Sequence, residues 1–275
     1  MGFIMNNFNY SVRRKTKSFN DCDYVSYSIC SSIPVEKVNK PIDVNGELKR
    51  VNTRTGEITD YTLKDFERSK RNSVNRSLRN FEDIAYANID DWQLFGTLTF
   101  APSKVDRFND DAVYHLFDLW RKYMKREFDY IKYLAIPERH KSGALHIHLL
   151  IGNLVGNELN LTPIRRVDFN ARREYRAKTF EYGRNNFSFI EDKERCIQYC
   201  KKYLIKDLGI STTTGKHRFY YSKNCAKPKV TSEIVCNIAD KSQLKPLVDT
   251  MYHNIFSSDF YVSADKNFII KKVIK

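Results

Sequence analysis

No two cysteines stand in a CxxC pair. Cys22, Cys30, Cys196, Cys200, Cys225 and Cys236 are scattered, and the closest spacing, Cys196 to Cys200, is one helical turn without an adjacent histidine. A zinc ribbon is thereby excluded, and free buried thiols in a reducing compartment are expected. No run reaches the roughly 18 to 20 apolar residues of a membrane-spanning helix. The opening MGFIMNNFNYSVRRK is too polar for a secretory signal, and no long basic amphipathic helix dominates a terminus, so no membrane partner and a cytoplasmic location are expected. No internal repeat is evident. Acidic residues are in deficit, 33 Asp and Glu against 47 Lys and Arg, for a net charge of +14. Such a surface attracts polyanions and speeds encounters with them, which puts nucleic acid first among partners.

What is present suffices for a core. Of 275 residues, 41% are hydrophobic and 13% aromatic, which excludes wholesale disorder and suits one compact domain with appendages. Residues 1–60 read as an N-terminal appendage, irregular or partly stranded, with Pro34, Pro41 and a turn-like VNGE. A basic helical segment follows over 61–90: Leu63, Phe66, Val74, Leu78, Phe81 and Ala85 recur at helical spacing among Lys64, Arg68, Lys70, Arg71, Arg76 and Arg79. Those cations fit a solvated face and a DNA-backbone contact equally well.

The principal domain is expected over 91–230, with a C-terminal appendage over 231–275. WQLFGTLTFA has strand composition. Asn109 or Asp110 then caps a helix running to about Phe128, striped by Val113, Leu116, Phe117, Trp120, Met124 and Phe128. Tyr130 to Ile136 and Ala144 to Gly152 read as a hairpin turning on Lys141, Ser142 and Gly143. After a charged stretch from Arg165 to Arg184, a strand at Phe187 to Ile190 leads into a helix from about Asp192 to Leu208, stopped by Gly209. HRFYYSKN supplies the last clear strand.

The hairpin carries the first candidate chemistry. Side chains alternate along a strand, so in LHIHLLIG the residues Leu145, Ile147, Leu149 and Ile151 share one face while His146 and His148 share the other. A turn on 141–143 places Glu138 opposite His146 on the histidine face. A bare HxH fits a hydrogen-bonded pair on a half-exposed sheet. Two imidazoles with an aligned carboxylate form a catalytic metal set with open positions, and mixed nitrogen and oxygen donors accept Mg2+ or Mn2+. His140 has the parity of Glu138 but lies at the tip, where it and Lys141 suit DNA contact better than metal ligation.

The following helix carries the second. Ile197, Cys200, Leu204 and Leu208 fall within one arc, taken as the packed face, and Tyr199, Lys202, Tyr203 and Lys206 cluster on the other side as YxxKYxxK. A phenol of pKa near ~10 needs a cationic neighbour, a polarised phosphate or both before it attacks at neutral pH. The lysines could assist the phenol, stabilise transition-state charge or hold the strand.

In order, FGTLTF, ERHKSGALHIH and YCKKYLIK resemble the three-motif signature of HUH endonucleases of the rolling-circle replication initiator type, found in phage and plasmid elements. The resemblance spans roughly Trp92 to Pro228. It implies an α+β fold with a central antiparallel β-sheet flanked by helices, metal ligation by His146, His148 and Glu138, and a tyrosine nucleophile at Tyr199 or Tyr203, with Lys202 and Lys206 assisting. The implied reaction nicks and rejoins single-stranded or hairpin origin DNA through a 5′-phosphotyrosine. Two tyrosines suit initiators of small single-stranded DNA phages, and single-tyrosine transposases of the superfamily are the near alternative. A nuclease using metal-bound water and a non-catalytic basic binder are the others. GISTTTGKH at 209–217 fails as a P-loop, because its glycines are one residue too far apart and His217 replaces Ser or Thr. A separate helicase and DNA polymerase are therefore expected partners.

Overall fold

The computed structural model describes residues 10–19, 23–31, 39–52, 55–167, 173–206, 217–238, 260–262 and 268–274. Along the chain the strands are β1 (Tyr10–Ser18), β2 (Asp23–Ser31), β3 (Asn39–Val44), β4 (Glu47–Asn52) and β5 (Ile58–Asp60), followed by helix α1 (Leu63–Ala87). Then come β6 (Trp92–Phe100), α2 (Asp110–Glu127), β7 (Lys132–Arg139), β8 (Leu145–Gly152), β9 (Leu161–Val167), β10 (Arg173–Ala177), β11 (Gly183–Phe189) and α3 (Lys193–Lys206). The chain closes with β12 (Tyr220–Tyr221), β13 (Lys229–Ile238), β14 (Phe260–Val262) and β15 (Phe268–Ile274). Two compact units result, one of residues 1–69 with 228–275 and one of residues 70–227. No described helix is long and apolar enough to cross a membrane.

The first unit holds an antiparallel sheet ordered β13-β1-β2-β15-β14 and a second ordered β3-β4-β5. The segments read as appendages thus contribute strands. Within β1 to β2 and β13 the pairing is continuous from Tyr10 to Ser18, with one bulge after Val12 on the β13 side. Val230 to Val235 are all exposed, whichever their parity, so the strand character of this segment rests on backbone pairing with β1.

The second unit is built on an antiparallel sheet ordered β12-β7-β8-β6-β11-β10-β9, flanked by helices as an α+β fold. One face is covered by α2: Val113, Phe117, Trp120 and Met124 pack on Leu94, Leu98, Leu145, Ile147, Leu149 and Ile151. The other is covered by α1 and α3, through Phe81, Ile84, Ala85, Ile197, Cys200 and Leu204 against Leu134, Ile136 and Leu150. Asn109 is the α2 cap, its side chain accepting from the Ala112 amide at 3.2 Å. Asp192 caps α3 by accepting from the Arg195 amide at 2.9 Å. At the start of α1, Thr62 and Asp65 exchange amide hydrogen bonds, 3.3 Å from the Asp65 amide to Oγ1 and 3.1 Å from the Thr62 amide to Oδ2.

Several boundaries differ from the sequence reading. Leu63 and Phe66, assigned to the α1 stripe, are 74% and 56% exposed, and the buried stripe begins at Val74. The stretch from Arg165 to Arg184 contains the end of β9, all of β10 and the start of β11. These strands sit toward the sheet edge, where few positions are buried and alternation is weak. HRFYYSKN reduces to a two-residue pairing, Tyr220 with Ala135 and Tyr221 with Leu134. The expected α3 end at Leu208 and Gly209, and most of GISTTTGKH, lie outside the described residues. Cys22 and the side chains of Cys30 and Cys236 do too; Cys196, Cys200 and Cys225 are free thiols, the last two buried.

Candidate active site

The β7–β8 hairpin turns on Lys141, Ser142 and Gly143. The Gly143 amide donates to the His140 carbonyl at 2.8 Å, and Gly143 takes φ +88°, a left-handed conformation that glycine adopts without a Cβ penalty. The tip is pinned from the α2 side: Arg139 spans both carboxylate oxygens of Asp110 at 2.6 Å, and the Leu145 amide donates to the Arg107 carbonyl at 3.0 Å. The register that follows sets Glu138 opposite His146 and Ile136 opposite His148.

On its other side β8 pairs with β6, which puts Thr99 beside His146 and Thr97 beside His148. Thr97 Oγ1 lies 3.0 Å from His148 Nδ1, and Thr99 Oγ1 lies 3.4 Å from His146 Nδ1. His148 Nε2 lies 2.6 Å from Glu138 Oε2, and both side chains are largely buried. A hydroxyl can donate or accept, so Thr97 serves either tautomer of His148: it donates to Nδ1 while Nε2–H faces Glu138, and accepts if the proton moves to Nδ1. Burial first, then the neighbouring His140 and His148 rings, hold the His146 pKa below the usual histidine value, favouring the neutral imidazole.

FGTLTF therefore has two functions by parity. Phe95, Thr97 and Thr99 face the histidines and α3, while Gly96, Leu98 and Phe100 face the α2 core. Gly96 is required there, since a Cβ at this position would fall 2.2 Å from ring atoms of Phe187 on β11. Neither threonine was singled out in the sequence. The β6–β8 register identifies them, and that register is a long-range pairing.

Helix α3 brings both tyrosines onto this cluster. Tyr203 stacks on His148, with centroids 3.8 Å apart and planes 12° from parallel. Tyr199 meets Phe95 edge-on at 5.7 Å, and the two phenolic oxygens are 2.5 Å apart, with Tyr203 donating to Tyr199. The phenols thus flank the packed arc and touch the sheet, where the sequence reading put them on the opposite side of the helix. Cys200 and Tyr203 are only three residues apart, so the helix face against the sheet is wide enough to hold both. Burial, and secondly the bond to Tyr199, push the Tyr203 phenol well above its ordinary pKa. Helix α3 is fixed to α1 by the Lys201–Glu82 ion pair and by Gln198 Nε2 donating to the Tyr86 hydroxyl at 2.7 Å.

Lys202 is exposed on α3, and the side chain of Lys206 lies outside the described residues. His140 is brought closer to the cluster than its tip position suggested: its ring stacks on His146 at 5.2 Å and 14°. Lys141 is exposed at the turn. Arg68, Arg71, Arg76 and Arg79 are exposed on α1, and Lys70 is partly buried.

The donor set suits a divalent cation. Two imidazoles have their Nδ1 atoms on threonine hydroxyls, which leaves Nε2 as the ligating nitrogen, and a carboxylate adjoins. Among the described residues, however, no three His, Cys, Asp or Glu side chains already stand in metal-holding array. Glu138 is spent on His148, and a cation would have to replace that hydrogen bond. No curated protein and no solved structure matches the chain. Residues 93–208, which run from β6 through the tyrosine helix, match the family described as Replication-associated protein ORF2/G2P. The segment that assembles the histidines, the glutamate and both phenols is thus the part of the chain that is similar to the replication-associated protein ORF2/G2P family, over less than half of its length.

Proposed function

We propose that this protein initiates rolling-circle replication by nicking and rejoining single-stranded or hairpin origin DNA through a tyrosine. The supporting observation is the contact of Tyr203 with His148 at 3.8 Å, with Tyr199 hydrogen-bonded to Tyr203 and Glu138 to the same imidazole. Two phenols, two imidazoles and a carboxylate are in one place, within a segment that matches a replication-associated family.

One phenolic oxygen, of Tyr199 or Tyr203, attacks phosphorus in line. The O–P bond to tyrosine forms, the P–O3′ bond breaks, the phenol gives up its proton and the departing 3′ oxygen gains one. The products are a 5′-phosphotyrosine and a free 3′-hydroxyl, and reversal rejoins a strand without an external energy source. The second phenol can attack the first linkage or the next junction. His146, His148 and Glu138 would hold Mg2+ or Mn2+, which when bound supplies Lewis-acid polarisation of the phosphodiester. Lys202 and Lys206 add positive charge to the tyrosine helix. Arg68, Lys70, Arg71, Arg76 and Arg79 on α1, with His140 and Lys141 at the hairpin tip, contact DNA outside the reacting phosphate. A helicase and a polymerase, supplied separately in the cytoplasm, extend the 3′ end.

The test uses a randomised pool of labelled single-stranded oligonucleotides with Mn2+, resolved on denaturing gels. A protein-linked band is expected from the wild type and from each single Tyr→Phe variant, and none from Tyr199→Phe/Tyr203→Phe. Cleavage without a covalent band would favour metal-activated water, and a band from the double variant would remove both phenols from consideration.

A further inference from the structure

The second unit contains a cavity that the nicking chemistry does not use. It opens between α2 and the β10–β11 turn, and its volume of about 430 Å3 falls within the roughly 300 to 1,000 Å3 of small-molecule sites. Trp120 and Tyr123 line it from α2, three residues apart and so on one side of the helix. Lys178, Glu181 and Tyr182 line it from the turn. Trp120 belongs to the apolar layer between α2 and the sheet, so the cavity lies on the side of the sheet away from His146, His148 and the α3 tyrosines.

The walls are fixed without a ligand. Asn185 holds the turn closed: its Oδ1 accepts from the Ala177 amide at 2.7 Å, and its Nδ2 donates to the Ala177 carbonyl at 3.0 Å. The Lys178 amide donates to the Asn160 carbonyl at 3.3 Å. The buried Phe180 ring meets Trp120 and Tyr182 edge-on, with centroids 6.1 and 5.7 Å away. A site already shaped in this way loses little freedom when it is filled.

One group in the wall lacks its complement. Trp120 is 3% exposed, and its indole Nε1 has no hydrogen-bond partner among the described residues. The chain's other tryptophan, Trp92, donates to the Ala85 carbonyl at 2.8 Å. A buried N–H without an acceptor costs free energy, which an acceptor atom carried by a ligand would restore. The remaining lining groups narrow the ligand. Aromatic rings from two elements offer flat faces to a planar ring, the Glu181 carboxylate accepts hydrogen bonds, and Lys178, exposed at the rim, attracts an anion. A planar heterocycle that has both N–H donors and acceptor atoms and carries a phosphate meets all of these demands. A nucleotide is such a molecule.

We infer that this cavity binds one unpaired nucleotide, its base against Trp120, Tyr123 and Tyr182 and its phosphate at Lys178. The inference uses none of the nicking chemistry. Free nucleotide and a base of single-stranded DNA present the same groups.

The test titrates the full chain in EDTA with each deoxynucleoside 5′-monophosphate, with deoxyribose 5-phosphate and with a trinucleotide, read by calorimetry and by tryptophan fluorescence. Trp92 does not line the cavity, so quenching reports on Trp120. Saturable quenching by at least one mononucleotide is expected, and none by deoxyribose 5-phosphate. Tyr123→Ala, at a surface position of α2, should weaken binding about 5-fold or more, as the loss of one base–aromatic stack does. Lys178→Ala should weaken the mononucleotide and leave the unphosphorylated nucleoside unchanged, a pattern that misfolding does not give. Phe189→Ala, which removes a 51% exposed ring outside the cavity, should change neither. Tighter binding of the trinucleotide than of the mononucleotide would assign the site to a DNA strand, and equal or weaker binding to free nucleotide; both support the inference. No quenching at millimolar mononucleotide, an equal response to deoxyribose 5-phosphate, or equal losses in Phe189→Ala and Tyr123→Ala would overturn it. Because EDTA prevents metal-dependent cleavage, a failure of the nicking proposal leaves this readout intact, and Tyr199→Phe/Tyr203→Phe should bind the mononucleotide as wild type does.

Discussion

The two faces of strand β8 show what a single stretch of chain can be made to do. Toward α2, Leu145, Ile147, Leu149 and Ile151 are buried in a dry apolar layer with Phe117, Trp120 and Met124. Toward α3, the intervening residues begin with His146 and His148, and only Leu150 continues the hydrophobic packing. One face supplies rigidity from shape and area. The other supplies polar groups held by specific partners, Thr97, Thr99, Glu138 and Tyr203. The imidazoles, His148 buried and His146 partly so, keep their orientation through these partners, and the apolar layer behind them fixes the strand that carries them.

Neighbouring substitutions on opposite faces should therefore separate activity from stability. His146→Ala is expected to bring divalent-ion-dependent adduct formation to background while melting stays near wild type. Ile147→Ala, one residue away and fully buried, should cost about 2 to 5 kcal/mol in denaturant melts yet leave adduct formation per folded molecule unchanged. If both variants lost stability equally, the division between the faces would be wrong. Gly96→Ala probes the α2 side more gently, since the added methyl meets the Phe187 ring. A destabilisation of about 1 to 3 kcal/mol is expected, again without effect on the adduct yield of the folded fraction.

Thr97→Val probes the histidine side through an orienting group. It keeps the side-chain volume and removes the hydroxyl 3.0 Å from His148 Nδ1, so Mn2+ affinity by calorimetry should fall about 10- to 100-fold, with a smaller loss for Thr99→Val at its longer contact of 3.4 Å. An unchanged Mn2+ isotherm would argue that the imidazoles need no help from β6. Lys201→Ala, which breaks the partly exposed pair with Glu82 between α3 and α1, is the smallest change: at most about 1 kcal/mol, readable as a modest shift in the melting midpoint.

The local parts of the site were legible in the sequence because they depend on periods of two and on turn chemistry. Alternation put His146 and His148 on one face, and Gly143 in a left-handed turn set Glu138 opposite His146. The helical stripe of α2, its cap Asn109 and the start of α3 near Asp192 follow from equally local rules. Strand β10 and the end of β9 were hidden in a charged stretch, since strands at or next to the sheet edge bury too few residues for a pattern. Leu63 and Phe66 were misassigned to a buried stripe because periodicity does not tell whether a partner surface exists.

The sequence by itself determined the residue types, their spacing, the basic charge and the hairpin that brings a carboxylate beside two imidazoles. Only tertiary structure decided that Thr97 and Thr99 orient those rings, and that both phenols turn toward the sheet with Tyr203 on His148. Each of the latter needs either a strand pairing across some fifty residues or the docking angle of a helix, and neither is encoded in any local window of chain.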